Sequence, residues 1–192
     1  MSGAFRDELL ARFRWIGGHG DVLGLLADAD ILRGAVDALT EPFADERVAQ
    51  VTGIEARGFV LAAAVAARLG AGFVAVRKPG SVHPGPKAVR PTAPDWRRRR
   101  LPLEMQRHAV PDGSRVLLVD DWAETGSQAL AARALVEDCG GTWVGASLLV
   151  DQLHDDVRAQ LDPVRSVVRA WELPPNPGWA TRWQEPQPGD AE

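Results

Sequence analysis

The stretch Arg115-Val-Leu-Leu-Val-Asp-Asp-Trp-Ala-Glu-Thr-Gly-Ser-Gln-Ala129 decides how this chain is read. Residues 116–119 form a short apolar run, β-branched at both ends, which predicts a buried, parallel strand covered on both faces. The run stops at two carboxylates, Asp120 and Asp121. A loop with Thr125, Gly126 and Ser127 follows, and then a helical pattern through Ala129, Leu130, Ala132, Leu135 and Val136. In an open α/β sheet, ligands bind beyond the carboxyl ends of the strands. Unpaired amides at a helix start suit an anion, Gly126 lets the backbone approach closely, and the hydroxyls of Thr125 and Ser127 add donors. That is a cradle for one phosphate. The aspartates beside it suit diol hydroxyls or a divalent cation with its waters. A phosphate next to a diol describes a ribose 5-phosphate.

Residues 116–127 resemble the phosphoribosyl diphosphate (PRPP) signature of the type I phosphoribosyltransferases. The resemblance implies that Asp120 and Asp121 hold the ribose hydroxyls. It also implies that Ala123, Glu124, Thr125, Gly126, Ser127 and Gln128 form the loop around the 5-phosphate. A second match lies upstream. Residues 47–52 read as a strand, followed by Gly53-Ile-Glu-Ala-Arg-Gly-Phe59, an Ala-rich helix over 60–69 closed by Gly70, a strand over 73–76, and Arg77-Lys78-Pro79-Gly80. The 53–59 loop and the basic pair look like the adenine phosphoribosyltransferases in particular. On that resemblance Glu55, Ala56, Arg57, Arg77 and Lys78 bind diphosphate, the first loop through a tight, often cis, peptide. A leaving group with several negative charges needs cationic and N–H partners.

The fold implied is α/β: a mainly parallel sheet of about five strands with helices on both faces, plus an N-terminal hood. Residues 1–45, largely helical in pattern, would be the hood, 46–173 the core, and 174–192 a Pro-rich tail. Trp179 and Trp183 suggest that part of the tail packs on the body or on a neighbour. Trp15, Ile16 and His19 lie where a hood would touch the base; Trp15 and Ile16 read equally well as core, and His19 as loop. Residues 79–101 read as a long loop ending in Arg97-Arg-Arg-Arg100, either covering the diphosphate or simply solvated. Residues 103–107 resemble the family's returning strand.

At 192 residues the chain has the length of one ordinary domain, and 45% hydrophobic with 25% charged residues is typical of globular proteins. A net charge of −4 argues against a general nucleic-acid binder. The single cysteine, Cys139, reads as a small buried residue and fits a reducing cytoplasm. Neither a signal-peptide layout nor a membrane-length apolar run is expected. His19, His83, His108 and His154 are scattered without metal-ligand spacing, so no metal is expected on protein ligands alone; Mg²⁺ would arrive with PRPP.

The function implied is transfer of 5-phosphoribose from PRPP to a purine-like base, adenine favoured, with release of diphosphate, in nucleotide salvage and in a homodimer. The alternative is a PRPP- or nucleotide-sensing regulator of the same fold without turnover. The family's usual Glu-Tyr pair in the mobile loop is missing, and the chain has no Tyr. That points to Glu124, with Asp121, as the catalytic carboxylates. An acid just before Thr-Gly resembles the hypoxanthine-guanine-type enzymes, where it meets the base nitrogen that exchanges a proton. A helix start favours a carboxylate at this position in any case.

Overall fold

The structure, a computed structural model, describes residues 2–80, 82–93 and 100–176. Arg97, Arg98 and Arg99, and the tail residues Trp179 and Trp183, lie outside the described residues.

The chain opens with α1 (Ser2–Arg12) and a small antiparallel hairpin, β1 (Trp15–Ile16) and β2 (His19–Gly20). Two helices follow, α2 (Val22–Leu26) and α3 (Ala29–Thr40). Each begins on an aspartate: Asp21 accepts from the Gly24 amide, and Asp28 accepts from the Asp30 and Ile31 amides. Both satisfy amides that a helix start leaves unpaired. The alternating core is β3 (Gln50–Ile54), α4 (Arg57–Leu69), β4 (Gly72–Val76), an antiparallel arm of β5 (Lys87–Pro91) and β6 (Pro102–Gln106), β7 (Arg115–Ala123), α5 (Ser127–Asp138), β8 (Thr142–Asp151), α6 (Asp155–Gln160) and β9 (Val164–Arg169). Helix α4 closes on Gly70 in the left-handed region at φ 68°.

Five strands form one parallel sheet in the order β4-β3-β7-β8-β9. Strand β7 is central and buried on both faces, as its apolar run predicts. Val116 and Leu118 pack with Ala132, Leu135 and Leu148 on the α5 side. Leu117 and Val119 pack with Leu39, Phe43, Leu61 and Val65 on the α3–α4 side. Period-two alternation thus feeds two separate apolar layers. Leu9 of α1 and Phe13 just after it join the second layer.

Several boundaries differ from expectation, among them the helix expected over 60–69, which starts at Arg57. The strand expected over 47–52 runs instead from Gln50 to Ile54, because Arg47 turns the chain at φ 48°. It passes through Gly53, where a Cβ would sit 2.6 Å from both the Ala62 Cβ and the Gly58 carbonyl oxygen, so α4 crosses the strand at contact distance. The run over 116–119 is the middle of a nine-residue strand that carries Asp120 and Asp121 inside it. The expected loop over 79–101 contains β5, which pairs with β6 along five residues. Alternation there is weak, since among these five only Ala88 is buried.

Candidate active site

In this strand order the chain leaves β3 through α4 toward β4, and leaves β7 through α5 toward β8. The two connections diverge, and a crevice opens at the carboxyl ends between them. Strands β3 and β7 pair only from Gln50↔Val116 to Thr52↔Leu118. Beyond Leu118, β7 continues against β8 as far as Ala123↔Asp151. A cavity of about 230 Å³ fills the gap. It is lined by residues 54–58 from one connection, by residues 120–129 from the other, and by Lys78 and Leu148.

The carboxylate pair forms one wall. The Asp121 side chain is 5% exposed, and its Oδ2 lies 3.0 Å from Arg57 Nε. The ion pair is close, yet its alignment misses hydrogen-bond geometry. Asp121 Oδ2 is therefore a buried carboxylate oxygen with no hydrogen-bond donor among the described residues. Asp120 Oδ1 accepts from the Asp121 amide at 3.0 Å. Burial raises the Asp120 carboxyl well above the ordinary carboxylate range, and the neighbouring Asp121 charge raises it further. Burial also raises Asp121, with Arg57 opposing. Arg57 offsets only part of the charge of two carboxylates at this wall, which leaves room for further positive charge and a further donor. A hydroxylated ligand carrying a cation supplies both, and the orphaned oxygen fits a diol or a water of Mg²⁺. Among the described residues, no group of three or more His, Cys, Asp or Glu side chains is placed to hold a metal unaided.

The opposite wall is the start of α5. Gly126 caps it in the left-handed region at φ 73°, and no side chain takes the capping bond. A Cβ there would lie 2.4 Å from Val157 Cγ1 and 2.7 Å from Leu153 Cδ2, so both conformation and space demand glycine. Thr125 Oγ1 and Ser127 Oγ sit 3.3 Å apart at the same turn. Amides, hydroxyls and the positive end of the helix dipole converge on one spot, which suits a phosphate.

The third wall is the loop after β3. Its Glu55–Ala56 peptide is cis. Arg57 is half-exposed and paired with Asp121. Gly58 crosses directly over Asp120: a Cβ there would fall 2.4 Å from Asp120 Oδ1. Glu55 faces away from any anion-binding role for its side chain. Its Oε2 accepts from the Lys78 amide at 2.9 Å, and its Oε1 accepts from Arg77 Nη2 at 3.3 Å. Arg77 also donates to the Val82 carbonyl at 2.9 Å, and its backbone bridges to Glu104. Lys78 lines the cavity, whereas Arg77, expected on the diphosphate, is tied into the loop by Glu55 and stays outside the lining. A carboxylate within reach of its guanidinium outcompetes a distant anion.

Trp15, Ile16 and His19, expected to touch a base, are absent from this lining. The Trp15 ring packs edge-on against Phe13 at 5.0 Å and against Trp122 at 5.8 Å. Ile16 is 62% exposed, and His19 is exposed on the far strand of the hairpin. Of the lining residues missed from sequence, Ile54, Gly58, Trp122, Ala129 and Leu148, the largest is Trp122. It follows the acid pair directly, lines the cavity, and donates from Nε1 to Gln152 Oε1 at 2.9 Å. A large aromatic at the end of a strand next to two carboxylates was the available signal.

The comparisons with known proteins agree with this geometry. The phosphoribosyl transferase domain family matches residues 29–178. The adenine phosphoribosyltransferase of Thermobifida fusca is 45% identical over 131 residues, covering 68% of this chain and 73% of that one. The Brucella suis enzyme of the same name is 40% identical over 152 residues, covering 77% and 82%. Among solved structures, the adenine phosphoribosyltransferase of Rhodothermus marinus superposes with a TM-score of 0.78 at 32% identity, covering 86% of this chain and 98% of that one. The Saccharomyces cerevisiae enzyme, complexed with an imino-altritol bisphosphate and adenine, gives 0.75 at 28% identity, covering 85% and 98%. With a parallel sheet, a buried acid pair and a left-handed glycine cradle at the switch point, the chain belongs to the phosphoribosyl transferase family, on its adenine phosphoribosyltransferase branch.

Proposed function

We propose that this enzyme transfers 5-phosphoribose from PRPP to a purine-like base, adenine favoured, and releases diphosphate. One observation carries the reading: a buried acid pair with an orphaned oxygen shares a single cavity with an amide cradle. Thr125, Gly126, Ser127 and Gln128, with the backbone of Ala123 and Glu124, hold the 5-phosphate. Asp120 and Asp121 hold the ribose hydroxyls. Arg57, Lys78 and the backbone of Glu55 and Ala56 receive the diphosphate, and Arg77 acts through its tie to Glu55. Bound with PRPP, Mg²⁺ supplies positive charge to the leaving diphosphate.

The bond from the ribose anomeric carbon to diphosphate oxygen breaks, and one from that carbon to a base nitrogen forms. The ribosyl group carries positive charge between the two events, and the buried carboxylate of Asp121 offsets it. The proton lost by the base nitrogen goes to Glu124, which lines the cavity just before the cradle. Residues 1–45 serve as the hood over a 46–173 core. The enzyme works in the cytoplasm as a homodimer; no helix among the described residues is long and apolar enough to cross a membrane. Light scattering that finds only a 20.7 kDa species at micromolar concentration contradicts the dimer.

The test is chromatographic detection of nucleotide and diphosphate formed from PRPP, Mg²⁺ and a panel of bases. Adenine is expected to turn over fastest. PRPP binding without turnover on any base would instead favour the sensing role, a reading the missing Glu-Tyr pair supports.

A further inference from the structure

Three links join the two ends of the described chain: one reaches α1, and two reach the hairpin of residues 15–20. Glu172 pairs through Oε1 with Arg6 of α1, while its Oε2 accepts from the Arg169 amide at 2.6 Å. Trp15 Nε1 donates to the Pro174 carbonyl at 2.7 Å. Asn176 Nδ2 donates to the Gly18 carbonyl at 3.1 Å. Between them, Leu173 is buried in the same apolar layer as Leu9 and Phe13. The hairpin also packs through the Trp15 ring on Phe13 and Trp122. Its two strands pair over only two residues each, and Gly17 and Gly18 both have positive φ. Two-stranded ribbons of this size are not stable alone.

The hairpin matters to the site through Trp122. Trp15 packs on that ring, and a Cβ on Gly20 would lie 2.9 Å from Trp122 Cζ3. Trp122 in turn lines the cavity beside the acid pair. The α5 start takes the phosphate, the acid pair the ribose and the loop after β3 the diphosphate, so the wall formed by Trp122 and the hairpin behind it borders the end left to the base. This assignment rests on the proposed phosphoribosyl transfer.

We infer that residues 172–176 are a strap: Asn176 and the Pro174 carbonyl hold the hairpin, Glu172 holds the α1 helix that leads into it, and together they position the hairpin and Trp122 for the base without touching substrate. The strap fixes one wall of the base end and leaves PRPP binding alone.

The test uses the full chain with Glu172→Gln and Asn176→Ala, singly and together. Amide hydrogen exchange gives a readout independent of catalysis. Protection of residues 15–20 is expected to fall in the double variant, while β7 and α5 keep theirs. Steady-state kinetics gives the second readout. With two polar links weakened, KM for the base is expected to rise about tenfold, with KM for PRPP within about twofold and Asn176→Gln restoring most of the effect. Unchanged exchange at residues 15–20 overturns the strap whatever the enzyme does. Lower protection with an unchanged base KM, or an equal rise in both KM values, overturns the positioning role. A wild type that turns over no base overturns the proposed function, and the exchange arm still decides the strap.

Discussion

Residues 120–128 line the cavity, residues 15–20 stand behind its Trp122 wall, and the two regions are built in different ways. The first group takes its arrangement from neighbours in the chain: strand, acid pair, left-handed glycine and helix start succeed one another within nine residues. The second is held by Pro174 and Asn176, which are 159 and 158 residues away from Trp15 and Gly18. Local construction gives a rigid binding surface that one short motif can carry. Construction at long range ties that surface's outer wall to the state of the whole fold. The division predicts that damage in the first region strikes phosphoribose binding or chemistry, and that damage in the second strikes the base alone.

The largest effect is expected from Glu124→Gln, which keeps shape and removes charge. A carboxylate that takes the base proton predicts a fall in kcat of about 10²-fold or more with PRPP affinity nearly unchanged. Wild-type turnover in that variant would leave the loop a phosphate cradle only. Next is Gly126→Ala. The left-handed conformation costs a non-glycine residue about 1–2 kcal/mol, and the new Cβ must push Val157 and Leu153 aside. Thermal melting should show the loss of stability, and calorimetry a loss of PRPP affinity; an intact affinity would show that the cradle is not where the phosphate binds. Gly20→Ala is the matching test in the hairpin. Its new Cβ falls 2.9 Å from ring atoms of the buried Phe13 and of Trp122, so overpacking should cost about 1–3 kcal/mol while the base KM rises severalfold and PRPP affinity holds. A change confined to PRPP would break the comparison.

The smallest effect concerns the unliganded protein. Both Asp120 and Asp121 are raised above the ordinary range, chiefly by burial, so the folded state holds their protons more tightly than the unfolded chain. Their contribution to stability is full below the ordinary carboxylate value of about 4 and is lost as pH rises through the raised folded value. Asp120→Asn removes part of that penalty. It should melt higher than wild type at neutral pH and show a flatter dependence on pH in a calorimetric series. A lower melting temperature at neutral pH would mean that the pair is already compensated.

The same contrast explains what could be read from sequence. Residues 53–59 and 116–128 were legible because tight turns, close backbone approaches and phosphate cradles restrict residue type position by position. Gly53, Gly58 and Gly126 have no room for a side chain. The parallel sheet was legible because β7 must be apolar on both faces. The hairpin was not, since two-residue strands have no periodicity to detect. Arg77 looked like a diphosphate ligand through the resemblance carried by Arg77-Lys78-Pro79-Gly80, and only the folded chain puts Glu55 within reach of it. Trp122 was passed over because its neighbours carry the motif.

The central claim is that the acid pair and the glycine cradle together bind PRPP. Isothermal titration of the wild type with PRPP, in the presence of Mg²⁺, tests it most directly, alongside the Asp120→Asn/Asp121→Asn double variant. The account predicts saturable, Mg²⁺-dependent binding to the wild type and a strong loss in the double variant. No binding to the wild type, or equal binding to both, would contradict it.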